Sequence, residues 1–189
     1  MDVLELRIAL QALADALTDR GVAARIVIVG GSALLLREGL HRATQDVDVV
    51  AASVDAEPLR REQELPPELV EAALDVARAL DLDPDWLNPG ALAVIGHLLP
   101  EGFEDRLRSE SFGSGLTVSV LARPDLLRLK LFAASDEGPA GVHFSDVCAM
   151  RPTRDELADA RAWVASRFPA GPLPELDDIV HRIREALDD

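Results

Sequence analysis

Two aspartates separated by one residue are the most chemically suggestive feature of the chain. Asp46 and Asp48 flank Val47 in a stretch that continues with Val49 and Val50. Alternate side chains of a strand point to the same face, so a strand here places both carboxylates together, with Cα atoms about 6–7 Å apart. Two carboxylates repel at that spacing unless a cation lies between them, and Mg²⁺ held jointly with nucleotide phosphates suits them. The alternative is a half-exposed strand whose two aspartates simply face solvent.

A glycine turn precedes this pair. Gly30, Gly31 and Ser32 follow the β-branched run Arg25 to Val29 and open an apolar helix. Glycines let a phosphate approach the backbone, a helix N-terminus favours an anion, and Ser32 could add a hydroxyl or cap the helix. A tight turn with a serine cap is the alternative. The turn is not a Walker A loop, since no Gly-Lys-Ser/Thr follows, and it lacks the third glycine of a Rossmann fingerprint.

The order of these elements resembles a known superfamily. A strand, Gly-Gly-Ser, a helix and Asp-x-Asp on the next strand are the core signature of the DNA polymerase β-like nucleotidyltransferases. The string from Val29 to Leu34, followed by Arg42-x-Thr44-x-Asp46-Val47-Asp48, is similar to the AbiEii-type and DUF6036 branches. Several members of these branches are toxins of toxin–antitoxin or phage-defence systems. Segments 82–88 and 120–131 favour the DUF6036 branch, and the resemblance spans about residues 22–150.

The resemblance implies a nucleotide-binding set and a catalytic set. The residues implied to bind nucleotide are Gly30, Gly31, Ser32, Arg42 and Thr44. The residues implied to be catalytic are Asp46, Asp48, Lys130 and Asp146, of which the first two would hold the metal. An ammonium near a triphosphate neutralises developing charge, and an aspartate can orient that ammonium. Each role has a plainer alternative. Thr44 could simply hold a polar loop, and Lys130 could be an ordinary helix residue with its ammonium in solvent.

Many enzymes of the superfamily bring a third carboxylate from another strand. The strand predicted at 116–121 offers only Thr117 and Ser119 on its polar face. Either Asp146 substitutes for the third carboxylate, or the site is catalytically reduced. His143, three residues before Asp146, is the histidine to examine.

The pattern along the chain predicts many helices and few strands. Strands are expected at 25–29, 45–50 and 116–121, with a loop over 51–64. Helices are expected at 2–20, 33–38, 66–80, 125–134, 143–150, 153–167 and 174–187, and Thr153 with Glu156 forms a capping-box signature. The predicted fold is α+β, a small mixed sheet flanked by helices. A nucleotidyltransferase-like domain is expected over 1–150 and a helical extension packed on it over 151–189.

Composition limits the partners. The chain has 189 residues, a formal net charge of -15 and one cysteine. Such acidity argues against broad DNA or RNA binding, although a local basic groove could still admit a tRNA end. Asp2 and Glu5 stand where a secretory signal needs positive charge, and no apolar run approaches membrane-spanning length. A cytoplasmic protein without membrane association is expected.

Two functional hypotheses follow. The first is an enzyme that binds an NTP with Mg²⁺ and transfers a nucleotidyl group to an acceptor hydroxyl on tRNA, protein or a small molecule, with a cognate antitoxin if it is a toxin. The second is a catalytically reduced module that binds nucleotide or a partner protein. A weaker idea assigns the apolar stripes of the two C-terminal helices to a dimer or partner face, although such stripes usually belong to the core.

Overall fold

The computed structural model describes residues 1–39, 43–168, 171 and 173–188. The chain divides into two compact units. The first comprises Met1–His97 with Glu101–Ala122, and the second comprises Leu98–Pro100 with the chain from Arg123 onward. The sequence-based division into 1–150 and 151–189 places its boundary later in the chain.

A five-stranded mixed sheet lies in the first unit. Its strands are β1 (Ala24–Val29), β2 (Val47–Val54), β3 (Leu87–Asn88), β4 (Arg108–Phe112) and β5 (Leu116–Val120), in the spatial order β3-β2-β1-β5-β4. Central β1 pairs antiparallel with β2 and parallel with β5, β3 runs parallel to β2, and β4 runs antiparallel to β5. The β-branched run of β1 is almost wholly buried, as suits the middle of a covered sheet.

Eight α-helices are formed by the described residues. The first unit contains α1 (Val3–Asp19), α2 (Gly30–Glu38), α3 (Pro67–Leu80) and α4 (Gly90–Ile95). The second contains α5 (Arg123–Glu137), α6 (Val142–Met150), α7 (Arg154–Ala165) and α8 (Pro174–Asp188), with α7 and α8 packed against α5. Among the helical residues that the structure describes, none builds a segment long and apolar enough to cross a membrane. The predicted α+β class with C-terminal helices is confirmed.

Two predictions near the sheet were wrong. Residues 51–54, expected in a loop, continue β2, because they pair with β1 as far as Ala24 opposite Val54. Small Ala and Ser residues carry little strand signal by themselves, and the partner strand supplies the missing preference. Strand β4 was missed because its residues are polar and mostly exposed, as an edge strand allows.

Helix starts show two further differences. Helix α2 begins at Gly30 rather than at Ala33, so the glycine turn is the first turn of the helix. Helix α5 begins at Arg123 rather than at residue 125, which places Asp125 inside its first turn. The buried Asp125 carboxylate accepts a hydrogen bond from Arg128 Nη1 at 3.0 Å.

The predicted capping box at the start of α7 is confirmed. Thr153 Oγ1 accepts from the Glu156 N–H at 3.2 Å, and Glu156 Oε2 accepts from the Thr153 N–H at 2.8 Å. Arg123 Nε donates to Glu156 Oε1 at 2.9 Å, so the same side chain also ties α7 to the start of α5. This hydrogen bond from Arg123 is the main reason why the pKa of Glu156 is lowered, followed by the bond from the Thr153 backbone.

Glu156→Gln is expected to lower the free energy of unfolding by about 1 kcal/mol at pH 7, since it removes a charged cap and the Arg123 pair. Because the folded pKa of Glu156 lies below the unfolded one, its contribution is present above the unfolded pKa of about 4.3 and is lost as pH falls through the folded pKa. Denaturant unfolding of both proteins from pH 7 to pH 3 measures the difference.

The matched control is Asp155→Asn, an exposed acidic residue in the same helical turn. Its effect is expected to be the smaller of the two at pH 7. A Glu156→Gln penalty that stays constant down to pH 3 would show that the carboxylate charge contributes nothing.

Candidate active site

The glycine turn lies against Asp48 at one end of the paired strands β1 and β2, and Asp46 immediately precedes β2. Antiparallel pairing sets Val29, the last residue of β1, opposite Asp48 on β2, and α2 begins at the next residue, Gly30. Gly30 has φ +72°, and a Cβ added there would lie 2.2 Å from Asp48 Oδ2. A side chain at position 30 would therefore displace the Asp48 carboxylate and would also sit in a backbone conformation that favours glycine.

The Ser32 hydroxyl at the start of α2 is taken up by a backbone contact. The first N–H groups of a helix have no partner within the helix and can bind an anion. Ser32 is fully buried, and its Oγ donates to the Val29 carbonyl at 3.1 Å. The N-cap position is Val29, which makes no side-chain capping bond, so Ser32 does not cap the helix. Gly31 is also buried beside it.

Thr44 supports the segment that leads into the pair. Its Oγ1 donates to the Asp46 carbonyl at 3.1 Å and its N–H donates to the Met1 carbonyl at 2.9 Å, while the N-terminal ammonium donates to the Thr44 carbonyl. The residue is buried. These contacts agree with the plainer interpretation of a loop held by Thr44. Arg42 lies outside the described residues.

Asn88 lies at the same end of the strands as Asp48. The sequence analysis did not include it among the candidate site residues. Strand β3 sets it opposite Asp48, and its Nδ2 lies 3.5 Å from Asp46 Oδ2. The strand is anchored by buried Trp86, whose indole N–H donates to the Ala73 carbonyl at 3.0 Å. The only sequence signal was that segment 82–88 formed part of the family resemblance. Its two-residue strand is too short to be predicted from a pattern.

The strand predicted at 116–121, whose polar face offers Thr117 and Ser119 and no carboxylate, does not lie next to the aspartates. Strand β5 pairs with β1 and β4, so β1 separates Thr117 and Ser119 from Asp48. The Ser119 hydroxyl lies 2.8 Å from that of Ser109 on β4. The neighbour of the aspartates on the far side of β2 is therefore β3, with an amide at its end.

The donor chemistry at this edge fits a metal that arrives with a phosphate ligand. Two carboxylates supply hard oxygens of the kind that divalent cations prefer. Within the described ranges, no group of three or more His, Cys, Asp or Glu side chains is placed to hold a metal by itself. Asp46 and Asp48 would hold such an ion together with nucleotide oxygens, as Mg²⁺ usually requires.

The second unit brings Lys130 and Asp146 together. Lys130 Nζ lies 2.8 Å from Asp146 Oδ2, and both side chains are buried, 6% and 2% exposed. His143 Nδ1 lies 3.2 Å from the same Nζ, and His143 Nε2 lies 3.3 Å from Glu137 Oε1. The interpretation of Lys130 as a helix residue with its ammonium in solvent is therefore wrong. A catalytic role for this pair stays a prediction.

Comparison with family models identifies a family for this chain. Residues 6–150 match a family described as a nucleotidyltransferase of unknown function, DUF6036. This match covers most of the chain and includes all nine residues proposed for the site. Comparisons with curated proteins and with solved structures gave no match. Nucleotidyltransferase families typically use metal ions and an NTP substrate.

Gly30→Ala is expected to destabilise the protein more than Gly21→Ala does. Both glycines have positive φ, +72° and +69°, but no other described residue comes within 4 Å of a Cβ at Gly21. Each alanine incurs a backbone cost of about 1–2 kcal/mol, and the clash with Asp48 adds about 1–3 kcal/mol. Denaturant unfolding of the two variants measures this difference. Equal losses would mean that the Asp48 carboxylate is not held against Gly30.

Lys130→Met and Asp146→Leu are each expected to cost about 3–5 kcal/mol, because each leaves one buried charge without its partner. The double variant is expected to recover most of that loss, because no buried charge is left alone. Urea unfolding of the four proteins completes a double-mutant cycle. Losses that simply add would show that the two charges do not stabilise each other.

Proposed function

The chain belongs to the DUF6036 family of nucleotidyltransferases, and we propose that it transfers a nucleotidyl group from an NTP, bound with Mg²⁺, to an acceptor hydroxyl. The acceptor oxygen would bond to the α-phosphorus and lose its proton to solvent, while the bond to the β-phosphate breaks and pyrophosphate leaves. The observation that carries this proposal is the contact of Gly30 with the Asp48 carboxylate at the start of α2. This contact joins a site for phosphate to a ligand for a cation. Either feature alone would have a plainer explanation.

Each residue in the proposal has a physical task. Backbone N–H groups at the start of α2, in the turn of Gly30, Gly31 and Ser32, would bind phosphate oxygens. Asp46 and Asp48 would hold the ion, which neutralises charge on the phosphates and aligns them for attack. Thr44 would fix the backbone before Asp46. The chain would thus act by positioning and charge neutralisation, as phosphoryl and nucleotidyl transfer require.

The surroundings of the site bear on the acceptor. A cavity of about 630 Å³ beside Asn88 has Glu64, Glu71 and Asp85 as its charged lining residues. A polyanion such as tRNA would be repelled there, whereas a neutral or cationic acceptor would not. An acceptor that entered through this cavity would more readily be a small molecule or a protein hydroxyl than the tRNA that the toxin branches suggest. The toxin role and a cognate antitoxin rest on the resemblance alone.

A catalytically reduced nucleotide-binding module is the second candidate. It is favoured by β3, which offers the Asn88 amide next to Asp48. The Gly30–Asp48 contact suits both candidates, since a nucleotide-binding module would also bind phosphate there, and the transfer assay below separates them.

Asp48→Asn is expected to lower nucleotidyl transfer by at least about 100-fold, because it removes a charge that holds the metal. The assay uses each α-³²P-labelled NTP with Mg²⁺ and three acceptor pools: total tRNA, protein extract and protein-free small-molecule extract. Asp19→Asn, at the exposed end of α1, is the matched control and is expected to transfer label normally.

Transfer that survives Asp48→Asn would refute the metal role. No transfer to any pool, with NTP binding retained, would favour the reduced module over the enzyme. Label that appears only in the tRNA pool would contradict the argument from the acidic cavity.

A further inference from the structure

Asn88 is fixed in place by its own strand. The short strand β3 runs parallel to β2, with Leu87 opposite Val47 and Asn88 opposite Asp48. The Val47 N–H donates to the carbonyl of Trp86, the residue before Leu87, at 2.6 Å. This bond fixes the register of β3 against β2. Asn88 thus reaches the aspartate pair on a backbone that hydrogen bonds and a buried indole hold in position.

The orientation of the Asn88 amide is determined by its partners. The Gly90 N–H donates to Asn88 Oδ1 at 2.8 Å, so that oxygen must be the acceptor. The NH₂ group is then the end that faces the Asp85 carbonyl, at 3.1 Å, and Asp46 Oδ2, at 3.5 Å. Asn88 therefore presents a donor to Asp46, and not a metal-binding oxygen.

We infer that Asn88 is a positioning residue, whose amide holds the Asp46 carboxylate by donating a hydrogen bond to it. Because this amide at the end of β3 is neutral, the negative charge around Asp46 and Asp48 stays too low to bind a metal without nucleotide. This inference rests on the proposed function, since it concerns the same metal. Two carboxylates alone hold Mg²⁺ or Mn²⁺ weakly, because water supplies the other ligands, and phosphate oxygens of a nucleotide add the charge that strengthens binding. The metal and the NTP therefore bind together.

A carboxylate at position 88 would change this behaviour. It would retain the bond from Gly90 through one oxygen and would set its other oxygen close to Asp46 Oδ2 in place of the amide. Three carboxylates at one strand edge repel one another, and a divalent cation relieves that repulsion. Asn88→Asp should therefore bind a divalent cation without nucleotide, which Asp46 and Asp48 alone would do only weakly.

The experiment titrates the full chain with Mn²⁺ alone, followed by calorimetry and by the electron paramagnetic resonance signal of free Mn²⁺. Asn88→Asp is expected to bind Mn²⁺ at least tenfold more tightly than the natural protein, and Mn²⁺ is expected to raise its unfolding midpoint. Gln63→Glu is the matched control: Gln63 lines the same cavity as Asn88, of about 400 Å³, and the change adds the same charge. It is expected to behave as the natural protein does.

A second variant tests the donor role and covers the case in which Asn88→Asp does not fold. Asn88→Ala removes the donor without adding charge, and it is expected to weaken Mn²⁺ binding at least threefold in the presence of a non-hydrolysable NTP analogue. Asn88→Gln is not expected to restore it, because a longer side chain cannot keep both the Gly90 and the Asp46 contacts. Unchanged affinity in Asn88→Ala, or an Asn88→Asp affinity equal to that of Gln63→Glu, would overturn the inference.

These outcomes are separable from failure of the proposed function. Mn²⁺ titration needs no turnover, so the gain in Asn88→Asp is measurable in a protein that transfers nothing. Label transfer by the natural protein together with no gain in Asn88→Asp would overturn only the role of Asn88. Tight Mn²⁺ binding by the natural protein without nucleotide would contradict the inference and leave the proposed transfer intact.

Discussion

The close approach of Gly30 to the Asp48 carboxylate is the constraint on which the candidate site depends. It exists because β1 and β2 pair antiparallel, with Val29 opposite Asp48, and because the chain turns into α2 through a positive φ at the next residue. A side chain at position 30 would occupy the space of the carboxylate oxygen. The β1–β2 register, the start of α2 and the position of the Asp48 carboxylate therefore depend on one another. A phosphate with its cation would bind where they meet.

Support for this edge comes from residues that carry no reactive chemistry. Thr44 bonds the carbonyl of Asp46, and buried Trp86 anchors the strand that ends at Asn88. The buried Lys130–Asp146 pair of the second unit is different, because it brings opposite charges together in a desolvated place. Loss of either partner destabilises the protein, so the contribution of this pair to folding must be measured separately from any role in catalysis.

Sequence reasoning worked best where periodicity and caps agree. The helix that begins after Thr153 and the strand that ends at Val29 have local signals strong enough to define them. It worked poorly at Ala51–Val54 and Arg108–Phe112, whose small or polar residues prefer no structure until a neighbouring strand offers hydrogen bonds. Those strands depend on pairing with distant parts of the chain, which composition within a window does not contain.

The sequence by itself determined the family, the fold class and the two motifs of the candidate site, because glycine at a turn and alternating carboxylates are local properties. Only the tertiary structure decided how those motifs are combined. Strand pairing set Asp48 against Gly30 and brought Asn88 to Asp46 across 42 positions of sequence. Helix packing buried the one lysine with Asp146. Residues far apart in the chain meet only through registers and packed faces, and these follow from the whole chain rather than from any local pattern.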